Sequence, residues 1–247
     1  MTNSGNTSYC WGVIAPARGD EAGEPEGLTE PLLPPEVVTL GNVLGIQDYT
    51  VEGVEEAMTR YPDCVRDLTS RGAQRVSLNG IPISVQLGRR RVLELLDYTH
   101  KELGVPGDTA AEAVVAAMHH LGVSKVAVGS RWADQVNDAL VAYLDDAGIE
   151  VLTITSRGQW ARQAFSMSIE MGVKLAFELG REAMRAAPHA DALFLPGGAW
   201  RPLPAVPILE EDYGKPVFTN ANTRAWRLIH DGIAPPVQGW GRLLNTP

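Results

Sequence analysis

The sequence predicts an α/β protein made of two similar lobes, each a parallel sheet with helices on both faces. Three observations lead there. Short apolar runs alternate with helical stretches along the whole chain, the order that builds parallel sheets. The halves also correspond: the interval from Val13 to Ala127 is close to that from Gly80 to Gly197, as a duplicated unit requires. Finally, "QRVSL" and "LFL" run into the turns "NG" and "PGG", the way a buried strand delivers its C-terminal end to a ligand site.

The elements follow in order. "YCWGVIAP" (9–16) reads as a buried strand, and the Pro-, Gly- and Glu-rich segment 17–36 as a long loop of the kind that covers or binds. Apolar Val54, Ala57, Met58, Tyr61, Val65 and Leu68 recur at helical spacing, so 51–71 reads as one helix stopped by Gly72. A strand over 74–78 enters a loop, 79–84, before a helix over 88–103. Thr109 and Glu112 form a capping box that opens a helix over 110–121. The plan then restarts with strand 124–130, helix 132–148 and strand 149–154. Helix 167–187, strand 191–195, helix 203–213, strand 216–219 and helix 222–231 complete it. The domain expectation is a first lobe of 1–117 plus 222–247 and a second of 118–221.

Size and charge narrow the function. The chain has 247 residues, 45% of them hydrophobic and 21% charged, and a net charge of −9. That charge disfavours nucleic acid as a partner. The basic "GRRRVLEL" (88–95) reads as a solvated helix start. The N-terminus lacks a basic stretch followed by an apolar core, so no secretory signal is expected. The apolar run at 110–118 is too short to span a bilayer. Cys10 and Cys64 do not form a disulfide framework. A cytoplasmic protein without membrane contact is the expectation, and a homo-oligomer is compatible with it.

Familiar reaction motifs are missing. The sequence has no G-x-S-x-G elbow, no P-loop and no G-x-G-x-x-G. His119 and His120 are adjacent rather than four apart, so they do not share a helix face as metal ligands would. No metal and no cofactor are expected. What remains is the set of predicted strand ends. In the first half these are Arg18, Asp48, Tyr49, Asn79, Gly80, Ile81 and Pro82. In the second they are Arg131, Trp132, Gly197, Gly198, Trp200, Thr219, Asn220 and Asn222. Glycine amides there can hold an anionic oxygen. Arg18 and Arg131 suit a carboxylate, and Trp132 and Trp200 can wall an apolar part of a ligand.

Taken together, "GVIAP", "DYTVEGVEEA", "GAQRVSLNGIPIS", "LGVSKVAVGSRWADQVND", "ADALFLPGGAWRPLPAVPILE", "KPVFTNANTRAWRLI" and "GWGRLL" resemble arylmalonate decarboxylases and maleate cis-trans isomerases, within the aspartate/glutamate racemase superfamily. The likeness covers almost the whole chain. It implies two pseudo-symmetric flavodoxin-like (Rossmann-type) lobes around an interlobe cleft. It also implies cofactor-free chemistry on small carboxylates, usually through one or two cysteines on the catalytic loops. A thiolate suits that work because its pKa can be tuned near neutrality. Here those cysteine positions fall at Gly80 and Gly197. Hydroxyl residues that help hold a carboxylate in the decarboxylase fall at Ile81 and Pro82, and the second-lobe tyrosine falls at Trp132.

Two functions are therefore weighed. One is an enzyme acting without a thiol on a small carboxylate, amide or imide, by decarboxylation, isomerisation or a related lyase or hydrolytic step. Its substrate, anionic or carbonyl-containing, would lie among Arg18, Asn79, Gly80, Ile81, Arg131, Trp132, Gly197, Gly198, Trp200 and Asn220. Asp48 is the expected catalytic acid or base, with Asp20 behind it. The other is a small-carboxylate binding or regulatory protein that has lost the chemistry.

Overall fold

The computed structural model describes residues 8–16, 32–159 and 167–246. Two four-stranded parallel sheets organise it. The first contains β1 (Tyr9–Ala15), β2 (Val37–Val43), β3 (Arg75–Leu78) and β4 (Gly107–Thr109), in the order β2-β1-β3-β4. The second contains β5 (Lys125–Gly129), β6 (Glu150–Thr155), β7 (Ala192–Leu195) and β8 (Val217–Thr219), in the matching order β6-β5-β7-β8. The central strands are buried on both faces, which explains why they are nearly continuous apolar runs.

Register makes the correspondence residue by residue. Val13 pairs with Ser77, and Ser77 with Asp108. In the second sheet Val128 pairs with Phe194, and Phe194 with Phe218. Ser77 stands three residues before Gly80 and Phe194 three before Gly197, so Ser77 is the counterpart of Phe194 and, through their pairings, Asp108 of Phe218; Val13 then corresponds to Val128, one residue beyond the expected Ala127.

Helices α1 (Val51–Met58), α2 (Tyr61–Ser70), α3 (Ile81–Leu87), α4 (Arg89–Leu103) and α5 (Ala110–His120) accompany the first sheet in sequence. Helices α6 (Asp134–Asp145), α7 (Ile169–Ala186), α8 (Val206–Tyr213) and α9 (Asn220–His230) accompany the second. α3 packs on α6, and the equivalent helices α5 and α9 pack on each other. Among the described residues, no helix is long and apolar enough to cross a membrane.

Several expectations change. The single helix over 51–71 is two, because the chain turns at Thr59–Arg60 and Pro62 opens the second. A proline lacks the N–H that an interior position must donate, but is tolerated in a first turn. The same holds at 79–84, expected as a loop: Ile81 and Pro82 begin α3. Strands β2 and β4 were not predicted. β2 is an edge strand with several exposed side chains, and β4 is three residues long, so neither shows a clear apolar run. Of the expected loop, 17–31 lies outside the described residues.

The capping box also moves. The Thr109 side chain accepts from the Glu112 amide, but the Glu112 carboxylate turns away to Arg89 Nε (2.9 Å) and Tyr143 Oη (2.8 Å). The complete box is at the equivalent place in the second lobe, between Thr219 and Asn222.

Candidate active site

The turns that end β1, β3, β5 and β7 enclose one cavity of about 860 Å³, its mouth included. Eight of the expected residues line it: Asn79, Gly80, Ile81, Arg131, Trp132, Gly197, Gly198 and Asn220. Tyr49 and Pro82, also among the expected strand ends, join them, as do Gln159 and Arg224, which sequence reasoning passed over. Gln159 follows the end of β6 and reaches the wall through a bridge to Trp132. Arg224 sits one turn into α9, inside a helix rather than at a strand end.

The two glycine turns are near copies. Gly80 has φ +92° and Gly197 has φ +91°, in the left-handed region that side chains with a Cβ rarely adopt. A Cβ on Gly80 would sit 2.7 Å from Pro16 Cγ, and one on Gly197 would sit 3.2 Å from Trp132 Cζ2. Trp200 does not line the cavity. It is buried under the second turn, where its Nε1 donates to the carbonyls of Pro196 (2.9 Å) and Gly197 (2.8 Å). The Gly197 amide donates to Asn220 Oδ1 at 2.9 Å. That donor, expected to face a ligand, is therefore occupied. Thr219 and Asn222 are buried in the cap of α9.

A local network places Arg131. Ser130 Oγ accepts from the Trp132 amide (3.0 Å) and donates to Asn137 Oδ1 (2.7 Å), while Asn137 Nδ2 donates to the Trp132 carbonyl (3.0 Å). This fixes the turn around Arg131, whose side chain enters the cavity wall only 4% exposed. Its Nε and Nη1 have no hydrogen-bond partner among the described residues. Burial pushes its pKa down to about 10, opposed by the nearby Tyr49 phenol. It remains a cation at neutral pH.

Asp48, expected as the acid or base, lies outside the cavity and is exposed. Its Oδ1 accepts from the Thr50 amide at 3.0 Å and from the Thr50 hydroxyl, and these bonds hold its carboxyl below the usual carboxylate range. Asp48 is a turn residue ahead of α1, and its neighbour Tyr49 reaches the cavity instead. Arg18 and Asp20 lie outside the described residues.

The two cysteines lie elsewhere. Cys64 is buried on α2, with its Sγ 3.7 Å from the Val43 carbonyl, and burial pushes its thiol pKa up. Cys10 is the second residue of β1, at the end of the strand away from the cavity. Among the described residues, no group of three or more His, Cys, Asp or Glu side chains is arranged to hold a metal.

The sequence profile of the arylmalonate decarboxylase family matches residues 12–244. The chain belongs to the arylmalonate decarboxylase family. The arylmalonate decarboxylase of Bordetella bronchiseptica is 30% identical over 218 residues, covering 85% of this chain and 88% of that one. Among solved structures, a liganded arylmalonate decarboxylase carrying glycine-to-cysteine and cysteine-to-serine substitutions superposes with a TM-score of 0.84. It is 26% identical and covers 96% of this chain and 98% of its own. A maleate cis-trans isomerase of Nocardia farcinica shares the fold, with a TM-score of 0.78 at 18% identity and coverage of 96% and 98% of the two chains. This member of the decarboxylase family thus has the fold that its alternating pattern and glycine turns predicted. Its cavity wall combines a buried arginine with a phenol.

Proposed function

We propose that the protein is a cofactor-independent enzyme that acts on a small carboxylate in the interlobe cavity by a mechanism without a thiol. The observation that carries this reading is Arg131: a guanidinium buried in the cavity wall, with two nitrogens lacking acceptors among the described residues. A buried cation is expensive unless paired. A carboxylate substrate supplies both the opposite charge and the missing acceptors.

Decarboxylation of a substituted malonate fits the rest of the wall. One carboxylate sits at Arg131, and the other faces apolar neighbours such as Ile81, Pro82 and Val136. Breaking its C–C bond releases CO2 and leaves the electron pair on the α-carbon, delocalised into the retained carboxylate. Arg131 stabilises that growing charge. The Gly80 and Gly198 amides, with no acceptor among the described residues, add donors near the same place. A proton must then reach the α-carbon. Among the described residues lining the cavity, Tyr49 is the one acidic O–H, so it takes the role expected of Asp48. It regains its proton from solvent.

The second reading, a binding protein, draws on the same inventory. No carboxylic acid, imidazole or thiol lies among the described lining residues. Incubation with phenylmalonate, methylmalonate and maleate, followed by proton NMR, separates the two. The enzyme reading expects CO2 release from a malonate. Tyr49→Phe then lowers kcat by about 10²–10⁴-fold with little change in KM. Arg131→Gln raises KM by roughly 10–100-fold. Ligands that raise Tm but return chemically unaltered establish the binding reading.

A further inference from the structure

A second group of buried charge lies behind the cavity wall. Asp108, in β4, is 5% exposed. Its Oδ1 accepts from the Thr109 amide at 2.8 Å. Its Oδ2 lies 3.6 Å from Arg227 Nε and 4.0 Å from Arg75 Nη1, flanked by both arginines but hydrogen-bonded to neither. Both arginines also pair with Asp231, Arg227 at 3.9 Å. The remaining titratable groups that feel Asp108 are Glu112 on α5 and Tyr61 on α2.

Two further observations connect this cluster to the cavity. Asp108, Arg75 and Arg227 line a narrow crevice together with Trp11, Ser77 and Arg224, and Arg224 also lines the cavity. The Arg224 guanidinium lies 4.6 Å from the Trp11 ring centre, and Trp11 Nε1 donates to Ser77 Oγ at 2.8 Å. One side chain is thus a wall of both spaces. The fold itself does not require charge here, because the equivalents of Ser77 and Asp108 are the fully buried Phe194 and Phe218.

We propose that Asp108 is a proton-linked regulator of the cavity: from the far side of Arg224 its carboxylate opposes an anionic ligand, so occupation of the cavity and neutralisation of Asp108 favour each other. This rests on the reading of the cavity as a carboxylate site. The reason is Coulombic. An anion in the cavity and the Asp108 carboxylate are like charges on opposite sides of Arg224, and they repel each other across it. By linkage, the ligand raises the proton affinity of Asp108 as much as the proton raises ligand affinity. Burial pushes the Asp108 carboxyl up to about 6, against the pull of Arg227 and then Arg75, so this exchange falls in an accessible pH range. When Asp108 is neutral, Asp231 still holds both arginines, and α9 keeps its place.

The test is isothermal titration with benzoate, which stays ionised above about pH 5.5. Wild-type affinity is expected to rise about fivefold from pH 8 to pH 5.5. Titrations at pH 6.5 in buffers of different ionisation enthalpy should show net proton uptake. Asp108→Asn should bind tightly and uniformly across that range, without the uptake. Benzoate binding with no proton uptake in the wild type overturns the proposal and leaves the carboxylate site standing. So does a pH dependence that persists in Asp108→Asn, since it would belong to another group. Failure of both proteins to bind benzoate, and of wild type to bind phenylmalonate, overturns the carboxylate reading and the proposal with it.

Discussion

The two lobes share strand order, register and a glycine turn at φ near +90°, yet they fill their sheets differently. Beside the second turn, Phe194 and Phe218 make a dry layer. At the same positions the first lobe places Ser77 and Asp108, and α9 brings Arg224 and Arg227 to meet them. The cation that enters the cavity from the second lobe, Arg131, has no acceptor for its Nε and Nη1 among the described residues. The buried charge beside the first sheet is therefore met by ion pairs, whereas among the described residues those two guanidinium nitrogens of Arg131 are not met. Duplication fixes a backbone. It does not fix which half carries the chemistry.

The most severe way to break this comparison is to give the dry layer the charge of its counterpart. Phe218→Asp puts a carboxylate at a fully buried position beside Phe194 and removes a large core side chain. It should cost at least about 4 kcal/mol, measured by urea denaturation. A cost below about 1 kcal/mol would mean that the layers are interchangeable.

Next in size is the pH dependence of the charged layer. Burial raises the folded Asp108 carboxyl from its ordinary 3.8 to about 6. The native state therefore holds its proton to higher pH than the unfolded chain does. The stability linked to this group is fully present below about pH 4, falls as pH rises to about 6, and stays lower above that. The expected loss is about 2–3 kcal/mol. Asp108→Asn should flatten this part of the stability curve, and an unchanged slope would assign it to other groups.

Smaller effects distinguish the turns. Gly80→Ala should cost about 2 kcal/mol and Gly197→Ala about 1 kcal/mol, because the first Cβ meets the Pro16 ring at 2.7 Å and the second meets Trp132 at 3.2 Å. Thermal unfolding of the pair gives the order, and equal or reversed values would make the contacts irrelevant beside the shared φ. Smallest is Asn220→Ala, which removes the acceptor from the Gly197 amide and should cost about 1 kcal/mol. The freed amide should leave benzoate affinity unchanged or improve it. A clear loss of affinity would show that Asn220 itself holds the ligand.

Much of the site was legible before the fold. Strand ends in an alternating α/β chain converge, so Asn79, Gly80, Arg131 and Gly197 could be named from position alone. Asp48 failed because sequence position does not say which neighbour turns inward: Thr50 ties its carboxylate outside, and Tyr49 takes the wall. Arg224 was missed because its helix reaches the cavity only through tertiary packing.

The sequence by itself determined the alternating architecture, the duplication and the two glycine turns. It also placed no thiol in either turn. These are local or periodic properties, written in spacing and in residue types that only certain backbones accept. Tertiary structure alone decided which polar groups are paired. Whether Arg131 lacks an acceptor, whether the Gly197 amide is free and whether Asp108 meets arginines all depend on side chains distant in sequence. Burial, which sets the cost of an unpaired charge, is a property of the assembled whole.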